Sequence, residues 1–597
     1  MNPSTRAARV LVGALTELGL RHVVLAPGSR SAPLAYAVAQ ADLPADHPDR
    51  DPNAPELELH VRIDERSAAF LALGLARAAV LAGDPRPVAV VTTSGTAVAH
   101  LLPAVLEAAH SGLPLLLLTA DRPHELRGTG ANQTTDQVGL LAPAVRATLD
   151  VPAPSGRPGE DQDLRNLAVR AVATALGTRT GDPGPVHLNL AYREPLVPDA
   201  DAWPVPVGRG RSAVAALAAD VPADLPTDGP TDLPDDAPTD PVRTVVVAGD
   251  GAGPAAVALA RRHGWPLLAE PSSGARGGAD AVPAYRLLLD LPELGGAVRR
   301  VIVLGRPTLS RPVQSLLSRA DVEVVVVAPR GGSWPDPARS AAVVVPELPA
   351  DLAAAGRGDP GWARTWRRAG AAALAAIAAV LEESTSRGEP LPGPALAAAL
   401  AEHLGARDVL VVGASNPVRD LDLVAAWAQP PTVVANRGLA GIDGTISTAA
   451  GVALGLGRPV RAYLGDVTFL HEIGGLLLGP DEPTPDLQIV VANDSGGSIF
   501  ATLEHGEGAH SALAGRVLAT PHRADLGALC AGYGVAHRRV RDLQGLHAAL
   551  AEPVRGLGVV EVVVDRADRR ALGARLAERV RSAVSDALGT AAGTPVP

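Results

Sequence analysis

The sequence predicts an α/β protein of three domains, each built on a doubly wound parallel sheet. Three observations support this prediction. The length of 597 residues accommodates three or four domains of roughly 100–200 residues. Short Val/Leu-rich runs, typical of buried parallel strands, alternate with amphipathic helical stretches. This alternation continues on both sides of one acidic, proline-rich segment, which divides the chain into blocks.

Residues 1–200 form the first predicted α/β domain. Its predicted strands are HVVLAP (22–27), VAVVTT (88–93), PLLLLTA (114–120) and PVHLNL (185–190). Helical patterns lie between them, including 66–83 and 96–111. The apolar stretch at the N-terminus is interrupted by Glu17, Arg21 and His22, so we expect a structural helix there and no signal peptide.

Residues 204–241 are predicted to be an exposed acidic linker or insertion. The repeated Pro, Asp and Thr of ADLPTDGPTDLPDDAPTDP disfavour a helix or a central strand, and like charges extend the chain. Seven Asp and no basic residue lie in 220–240. A functional acidic tail is the alternative.

Two further α/β domains are predicted after this segment. The central domain, 242–360, has predicted strands TVVVAG (244–249), RVIVLG (300–305) and VEVVVVAP (322–329). An Ala-rich connecting helix is predicted within 361–389. The third domain, 390–597, has predicted strands DVLVVGA (408–414), TVVAN (432–436), VRAYLGD (460–466), LQIVVAND (487–494) and VVEVVVDR (559–566).

Composition excludes several classes of protein. The formal net charge of −11 argues against a nucleic-acid binder. No apolar run approaches the roughly 18 residues of a membrane span. The single cysteine, Cys530, cannot form an intramolecular disulfide, which is compatible with a cytoplasmic location.

A glycine-rich turn in the central domain has two interpretations. GDGAGPAA (249–256) follows a strand and opens a helix, as a dinucleotide fingerprint does. However, Pro254 and Ala255 stand where a third glycine is usual, and Glu270 is the nearest acidic candidate further along. An ordinary tight turn is the alternative.

Two acidic turns in the third domain predict a metal–diphosphate site. Gly465-Asp466 ends one predicted strand, and Asn493-Asp494 ends the next, 28 positions later. Both lie at carboxyl ends of parallel strands, where open sheets bind ligands. Two carboxylates and the Gly496 carbonyl suit Mg²⁺, with Mn²⁺ as the second candidate. Two ordinary βα turns are the alternative.

This spacing resembles the cofactor motif of thiamine-diphosphate enzymes, although Val467 and Asp494 replace a usual glycine and asparagine. The resemblance implies a catalytic glutamate that hydrogen-bonds the pyrimidine ring of the cofactor, and Glu65 in the sequence DERS matches it. Without the resemblance, Glu65 is an acid stabilised at a helix start. The remaining cofactor contacts that the resemblance implies are Ser94, Gly95, Ile442, Gly465 and Ile499. Ile442 is expected to wedge beneath the bent cofactor, with core packing as the alternative.

Six motifs narrow the resemblance. They are APGSRSAPL (26–34), TTSGTAVAHLLPA (92–104), ADRPHELRGTGANQTTDQ (120–137), GASNPVRDLD (413–422), NRGLAGIDGTISTAAG (436–451) and NDSGGSIF (493–500). In this order they resemble the 2-succinyl-5-enolpyruvyl-6-hydroxy-3-cyclohexene-1-carboxylate synthase family of menaquinone biosynthesis, from residue 1 to about 570. The resemblance implies decarboxylation of 2-oxoglutarate and 1,4-addition of the resulting carbanion equivalent to isochorismate.

Both of these substrates are dicarboxylates, so the site requires cations and hydrogen-bond donors. The predicted substrate-binding residues are Ser29, Arg30, Arg122, Asn132, Gln133, Arg311, Ser415, Arg419, Arg437 and Phe500. For any single arginine, a surface salt bridge is the alternative.

In the resembled family the cofactor lies between domains of different subunits, which implies a homodimer or homotetramer. Two other functions stay open at this point. One is another thiamine-diphosphate decarboxylase or acetolactate-type carboligase. The other is a non-catalytic dinucleotide-binding protein built around Gly249–Gly253.

Overall fold

The computed structural model describes residues 1–205, 214–215, 239–386, 390–504, 511–566 and 569–589. Most of the predicted acidic linker, and the end of the chain after residue 589, lie outside the described residues. The described part forms three parallel sheets of five or six strands, as predicted. No helix in these ranges has both the length and the apolar character needed to cross a bilayer.

The first sheet has six parallel strands in the order β2-β1-β3-β4-β6-β5. They are β1 (His22–Leu25), β2 (Glu58–Val61), β3 (Val88–Thr92), β4 (Leu115–Asp121), β5 (Ala147–Val151) and β6 (Val186–Ala191). The four predicted strands are confirmed. The sequence did not reveal β2 and β5 because both are edge strands, so their half-exposed residues give no continuous apolar run.

The helices around this sheet are α1 (Pro3–Glu17), α2 (Ala32–Asp42), α3 (Glu65–Leu81), α4 (Thr96–His100), α5 (Leu102–Ser111) and α6 (Glu160–Ala175). The N-terminal stretch is a helix, as expected, with Asn2 as its N-cap. The helical pattern predicted over 96–111 is confirmed, although the chain divides into two helices there, α4 and α5. Pro103 explains the break, since it has no N–H and its ring crowds the carbonyl of Ala99.

The central sheet has five parallel strands in the order β12-β11-β10-β8-β9, and a separate two-stranded sheet joins β7 to β13. The strands are β7 (Thr239–Asp240), β8 (Thr244–Ala248), β9 (Leu267–Ala269), β10 (Arg300–Leu304), β11 (Glu323–Val327), β12 (Val343–Val345) and β13 (Arg357–Gly358). Strand β7 lies within the predicted linker. Asp240 accepts a hydrogen bond from Arg300 at 3.1 Å, so this end of the acidic segment is attached to the central sheet.

The helices that follow are α7 (Pro254–His263), α8 (Tyr285–Leu288), α9 (Arg311–Leu317), α10 (Ala350–Ala353) and α11 (Pro360–Ser386). Helix α11 corresponds to the predicted connecting helix. Its buried face includes Trp362 and Trp366, which pack edge to face in the core that the central and third sheets share.

The third sheet has six parallel strands in the order β15-β14-β16-β17-β19-β18. They are β14 (Val409–Val412), β15 (Thr432–Val434), β16 (Val460–Gly465), β17 (Leu487–Asn493), β18 (Ala536–Val540) and β19 (Leu557–Val563). Its helices are α12 (Gly393–Glu402), α13 (Asn416–Val424), α14 (Thr445–Leu456), α15 (Asp466–His471), α16 (Ile499–Thr502), α17 (Ser511–Val517), α18 (Leu526–Gly532), α19 (Leu543–Ala551) and α20 (Arg569–Leu588).

Helices α3 and α14 bring the first and third sheets together within one chain. They cross closely because both carry glycine at the crossing. A Cβ on Gly74 would lie 2.2 Å from the carbonyl oxygen of Thr448, and one on Gly451 would lie 2.2 Å from that of Leu71. A single apolar core includes residues of both sheets and both helices. Helix α3 is therefore held against the third domain.

Candidate functional site

Two carboxylates lie side by side at the carboxyl edge of the third sheet. Strands β16 and β17 are parallel neighbours, and each ends in an acidic turn. Asp466 is 2 % exposed, and its Oδ2 accepts hydrogen bonds from the Gly496 amide and from His522 Nε2, both at 2.9 Å. Its Oδ1 accepts the amide of Val467 at 2.7 Å. Burial raises the pKa of Asp466.

Asp494 provides the observation that indicates a cation. Burial, followed by the negative charge of Asp466, raises the pKa of Asp494 to about 6. Its Oδ2 accepts the hydroxyl of Ser498, whereas its Oδ1 is buried without a hydrogen-bond partner among the described residues. A buried carboxylate oxygen without a partner, beside a second carboxylate, is an unfavourable arrangement that a hard divalent cation would stabilise. The donors present therefore fit the predicted metal.

Gly496 contacts Asp466 through its amide N–H. Its φ is +152°, and a Cβ there would lie 2.6 Å from the carbonyl oxygen of Ala519, so the position requires glycine. The predicted role of the Gly496 carbonyl as a metal ligand stays a prediction.

Sequence reasoning missed two residues at this edge. His522, 56 positions after Asp466, reaches the carboxylate from the segment that precedes α18. Ser498 donates to Asp494 and accepts a hydrogen bond from Asn416 Nδ2 at 2.8 Å. It thereby joins the GASNP motif to the acid pair, Asp466 and Asp494. Ser498 lies inside the motif NDSGGSIF (493–500), so the sequence could have indicated it. His522 lies outside all six motifs.

Glu65 is the first residue of α3 and is half-buried. The preceding residue, Asp64, caps the helix by accepting the amides of Arg66 and Ser67. The Arg66 guanidinium donates to the carbonyl of His471 at 3.0 Å, at the end of the helix that Asp466 begins. The turn that carries Glu65 is thus fixed against the third domain of the same chain.

The two predicted apolar cofactor contacts, Ile442 and Ile499, are half-buried. Neither belongs to the apolar cores that the described residues form. The role of Ile442 as a cofactor contact stays a prediction.

A polar cluster lies at the carboxyl edge of the first sheet, after β1, β3 and β4. Ser94 Oγ accepts a hydrogen bond from Arg122 Nη1 at 2.9 Å and donates to the carbonyl of Gln133 at 2.9 Å. Burial lowers the pKa of Arg122, and the positive charge of Arg30 lowers it further. Gly95 has φ +84°, and its amide donates to Gln137 Oε1 at 3.2 Å. The structure therefore brings together residues from three of the six motifs.

Arg30 is only 9 % exposed and is partly engaged by the scaffold. Its Nη1 donates to the carbonyl of Tyr192 at 3.0 Å and its Nη2 to Glu194 at 3.3 Å, while its Nε is buried without a partner among the described residues. Ser29 and Asn132, two predicted neutral donors, are exposed.

A second cluster of arginines lies between the third and central sheets. Arg419 Nη1 donates to the carbonyl of Ser415 at 2.8 Å. Burial lowers the pKa of Arg419, and the charge of nearby Arg437 lowers it further. Arg437 is 4 % exposed and donates to Thr308 Oγ1 at 2.6 Å through Nη2. A buried guanidinium and a half-buried one with the same charge are an arrangement that an anionic ligand would stabilise.

Arg311 differs from this pair in its exposure. Its side chain is 74 % exposed and forms an ion pair with Glu504 at 3.2 Å, which matches the surface-salt-bridge alternative. Phe500, on the short helix α16, is half-buried.

Glu270, the acidic residue proposed to act with the glycine-rich turn of the central sheet, is not accessible to a ligand. That side chain is 2 % exposed and accepts the amide of Leu309 at 2.8 Å. Burial raises the pKa of Glu270 to about 8. Because Glu270 is buried within the protein, it does not fit the ribose-binding role of a dinucleotide site.

Comparisons with known proteins show what the chain is similar to. Two family models match, thiamine pyrophosphate enzyme N-terminal TPP binding domain over residues 5–140, and thiamine pyrophosphate enzyme C-terminal TPP binding domain over residues 413–564. A protein of Paenarthrobacter aurescens (strain TC1) is 49 % identical, with 98 % of each chain covered. A protein of Kineococcus radiotolerans is 50 % identical, with 98 % of this chain and 100 % of the relative covered. Both relatives are named 2-succinyl-5-enolpyruvyl-6-hydroxy-3-cyclohexene-1-carboxylate synthase.

Among solved structures, benzoylformate decarboxylase from Polynucleobacter necessarius matches with a TM-score of 0.63 and 18 % identity. The match covers 94 % of this chain and 99 % of that structure. At this identity it shows a shared fold.

Proposed function

The chain belongs to the 2-succinyl-5-enolpyruvyl-6-hydroxy-3-cyclohexene-1-carboxylate synthase family of thiamine-diphosphate-dependent transferases in menaquinone biosynthesis, and we propose that its acid pair binds the metal ion of the cofactor while its arginine clusters bind the substrates. In that reaction 2-oxoglutarate loses carbon dioxide, and the remaining four-carbon unit adds to isochorismate. The observation that supports the site assignment best is the partnerless buried oxygen of Asp494 beside Asp466.

Asp466 and Asp494 would hold a divalent cation, Mg²⁺ or alternatively Mn²⁺, at the diphosphate of the cofactor. The Gly496 carbonyl is the proposed third protein ligand. The other proposed cofactor contacts are Gly465, Ser94, Gly95, Ile442 and Ile499. When bound, thiamine diphosphate supplies an electron sink for the carbanion that decarboxylation leaves. His522 would orient Asp466, because its ring nitrogen already contacts Oδ2.

The Glu65 carboxyl group is the proposed catalytic residue. Its position at the start of α3 gives it a fixed backbone, since Asp64 caps the helix and Arg66 ties the turn to His471. There it would donate a hydrogen bond to the pyrimidine ring of the cofactor and so control the protonation of that ring.

The arginine clusters are the proposed carboxylate sites. Arg437 is buried and Arg419 is half-buried, so bulk solvent screens a ligand charge less here than at the surface, and a carboxylate between them would be held strongly. Arg30 and Arg122, with Ser29, Asn132 and Gln133, form the second site. Ser415 and Phe500 complete the proposed substrate contacts, while Arg311 is a weaker candidate because it is exposed.

The active form is proposed to be a homodimer or homotetramer. As in the resembled family, Glu65 of one subunit would serve a cofactor held by the acid pair of another. Residues 1–200 are the proposed pyrimidine-binding domain, and residues 390–597 the proposed diphosphate-binding domain. Cytoplasmic localisation stays a prediction.

A subunit-mixing experiment tests the shared site. Glu65→Gln and Asp466→Ala chains are each expected to be nearly inactive as homo-oligomers. After co-expression and isolation of mixed oligomers, sites that combine wild-type Glu65 with wild-type Asp466 should restore part of the activity. If mixed oligomers stay inactive, or if sedimentation shows a fully active monomer, the shared site is wrong.

The reaction itself is tested with purified protein, thiamine diphosphate, Mg²⁺, 2-oxoglutarate and isochorismate. Isochorismate loss and carbon dioxide release should occur together and should require all four additions. Carbon dioxide release without isochorismate loss would contradict the proposed second substrate.

A further inference from the structure

We propose that His22, Glu58 and His60 form a binding site for one transition-metal ion, such as Zn²⁺ or Co²⁺, on strands β1 and β2. His22 and Glu58 begin their strands, so the group lies towards the amino ends of the sheet. The polar cluster around Ser94 and Arg122 lies after the opposite, carboxyl ends of strands in this sheet. This site is therefore separate from the proposed catalytic residues.

The register of the two strands places the three side chains on one face. His22 stands opposite Glu58, and His60 follows two positions after Glu58 on the same strand. His22 Nδ1 lies 3.5 Å from Glu58 Oε2 and 3.4 Å from His60 Nε2. The three atoms all lie within 4.8 Å of one another.

These separations suit a metal ion with tetrahedral coordination. At the usual Zn–N distance of about 2.0–2.1 Å, two ligand atoms of a tetrahedral site lie about 3.4 Å apart. The two separations from His22 Nδ1 already have this length. The remaining adjustment falls to Glu58, whose side chain is 70 % exposed and can rotate. Solvent would provide a fourth ligand from that open side.

The protein fixes the two imidazoles in advance. His60 is 1 % exposed, so the surrounding atoms restrict its ring, and its Nε2 already lies within hydrogen-bond distance of His22 Nδ1. The His22 side chain is 19 % exposed and stacks on His60 with ring centroids 5.6 Å apart. Little conformational freedom is therefore lost when a metal binds.

The neutral state of the two histidine rings favours metal binding, whereas the positive charges of nearby arginines oppose it. Burial lowers the pKa of His22 and lowers that of His60 to about 3, so both rings are neutral and ready to ligate at neutral pH. The charged groups that act on the rings are Arg21, Arg62 and Glu58. Arg62 is paired with Glu482 at 2.9 Å, which offsets part of its repulsion. Imidazole ligands favour Zn²⁺, Co²⁺ or Ni²⁺ over Mg²⁺.

The test measures cobalt binding to holoenzyme saturated with thiamine diphosphate and Mg²⁺. After equilibration with CoCl₂ and gel filtration, we expect one extra Co²⁺ per chain by elemental analysis, with the intense visible absorption of tetrahedral cobalt. Asp466→Ala should retain this ion, which distinguishes it from cobalt at the catalytic site.

His22→Asn should abolish the extra ion and its absorption, and Glu58→Gln should weaken binding several-fold. The control variant His47→Asn changes another partly exposed histidine of the same domain and should bind cobalt as wild type does. Wild-type protein without an extra ion, or His22→Asn with full binding, would overturn the proposal. Neither result bears on the synthase activity.

Discussion

Glu107 accepts the backbone N–H of Gly438 through Oε1 at 2.7 Å, although the two residues lie 331 positions apart in the chain. Its Oε2 accepts the N–H of Leu439 at 2.8 Å. Glu107 is 4 % exposed, and a Cβ on Gly438 would lie 2.8 Å from the Glu107 carbonyl oxygen. Helix α5 of the first domain therefore holds the loop that immediately follows Arg437.

Glu107→Gln is predicted to loosen this loop and misplace Arg437. One amide oxygen cannot replace two charged acceptors, and each such hydrogen bond contributes about 1.5–3 kcal/mol. We expect kcat/KM for the anionic substrates to fall about tenfold or more, mainly through KM, with little change in cofactor affinity. Glu125→Gln, at an exposed ion pair with Arg193, is the control and should behave as wild type. Unchanged KM in Glu107→Gln would contradict the positioning role.

Arg437→Ala and Arg419→Ala are predicted to raise KM, lower kcat, or both, by about 10–100-fold in kcat/KM, because a buried carboxylate would lose a bidentate partner. Arg437→Lys should not restore activity, since an ammonium lacks the planar fork. Steady-state kinetics with each substrate varied in turn would assign each arginine. Arg311→Ala is the informative comparison, because its exposed ion pair predicts a small effect.

Asp466→Ala and Asp494→Asn are predicted to differ in metal binding. The first removes the carboxylate that Gly496 and His522 orient, so Mg²⁺-dependent cofactor binding should be lost. The second keeps an oxygen ligand and removes one charge, so activity should need several-fold more Mg²⁺. Mg²⁺ titrations of cofactor binding by calorimetry would measure both. Asp542→Asn, a change at a helix N-cap, provides the control. Equal Mg²⁺ requirements in all variants would refute the metal site.

Glu65→Gln is predicted to preserve the fold, the metal and the cofactor affinity while slowing turnover by about 10²–10⁴-fold, the usual contribution of a positioned acid–base group. Rapid-quench measurement of carbon dioxide release in a single turnover would place the effect before decarboxylation. Turnover close to wild type would show that the assigned role is wrong.

Glu270→Gln is predicted to change how stability depends on pH. Burial raises the folded-state pKa of Glu270 to about 8, whereas the unfolded chain releases this proton near pH 4.5. The folded state therefore binds more protons between these values, and stability falls as pH rises from about 4.5 to 8, by at most about 5 kcal/mol. Gln keeps the bond from Leu309 and cannot ionise. Thermal unfolding at pH 5.5 and 8 should show a smaller decline in the variant. An equal decline would contradict the assignment.

Much of the fold could be predicted because buried parallel strands are continuous apolar runs. Strands β3, β4 and β8 are buried along their whole length and appear directly in the sequence. Strands β2 and β5 lie at edges, where half-exposed positions weaken that signal. The break between α4 and α5 was missed, although Pro103 was available as a signal.

The residues of the candidate site, like the elements of the fold, could be predicted from the sequence only in part. Asp466 and Asp494 stand at the ends of neighbouring strands, so their spacing indicated a ligand site, whereas Arg419 and Arg437 were indicated by the motifs that carry the family resemblance. His522, Glu107 and Thr308 are single polar residues whose sequence neighbours carry no pattern. Their partners Asp466, Gly438 and Arg437 come from distant parts of the chain.

The sequence by itself determined the three parallel sheets, the acidic and basic motifs at their carboxyl ends, and the family. Periodic burial and local turn chemistry leave a record in consecutive residues. Only the tertiary structure decided that Asp494 keeps one oxygen without a partner, that Arg311 is in an exposed ion pair, and that Glu107 holds the loop after Arg437. Such contacts join a side chain to a distant group over about 3 Å, and no periodicity of the chain encodes that distance.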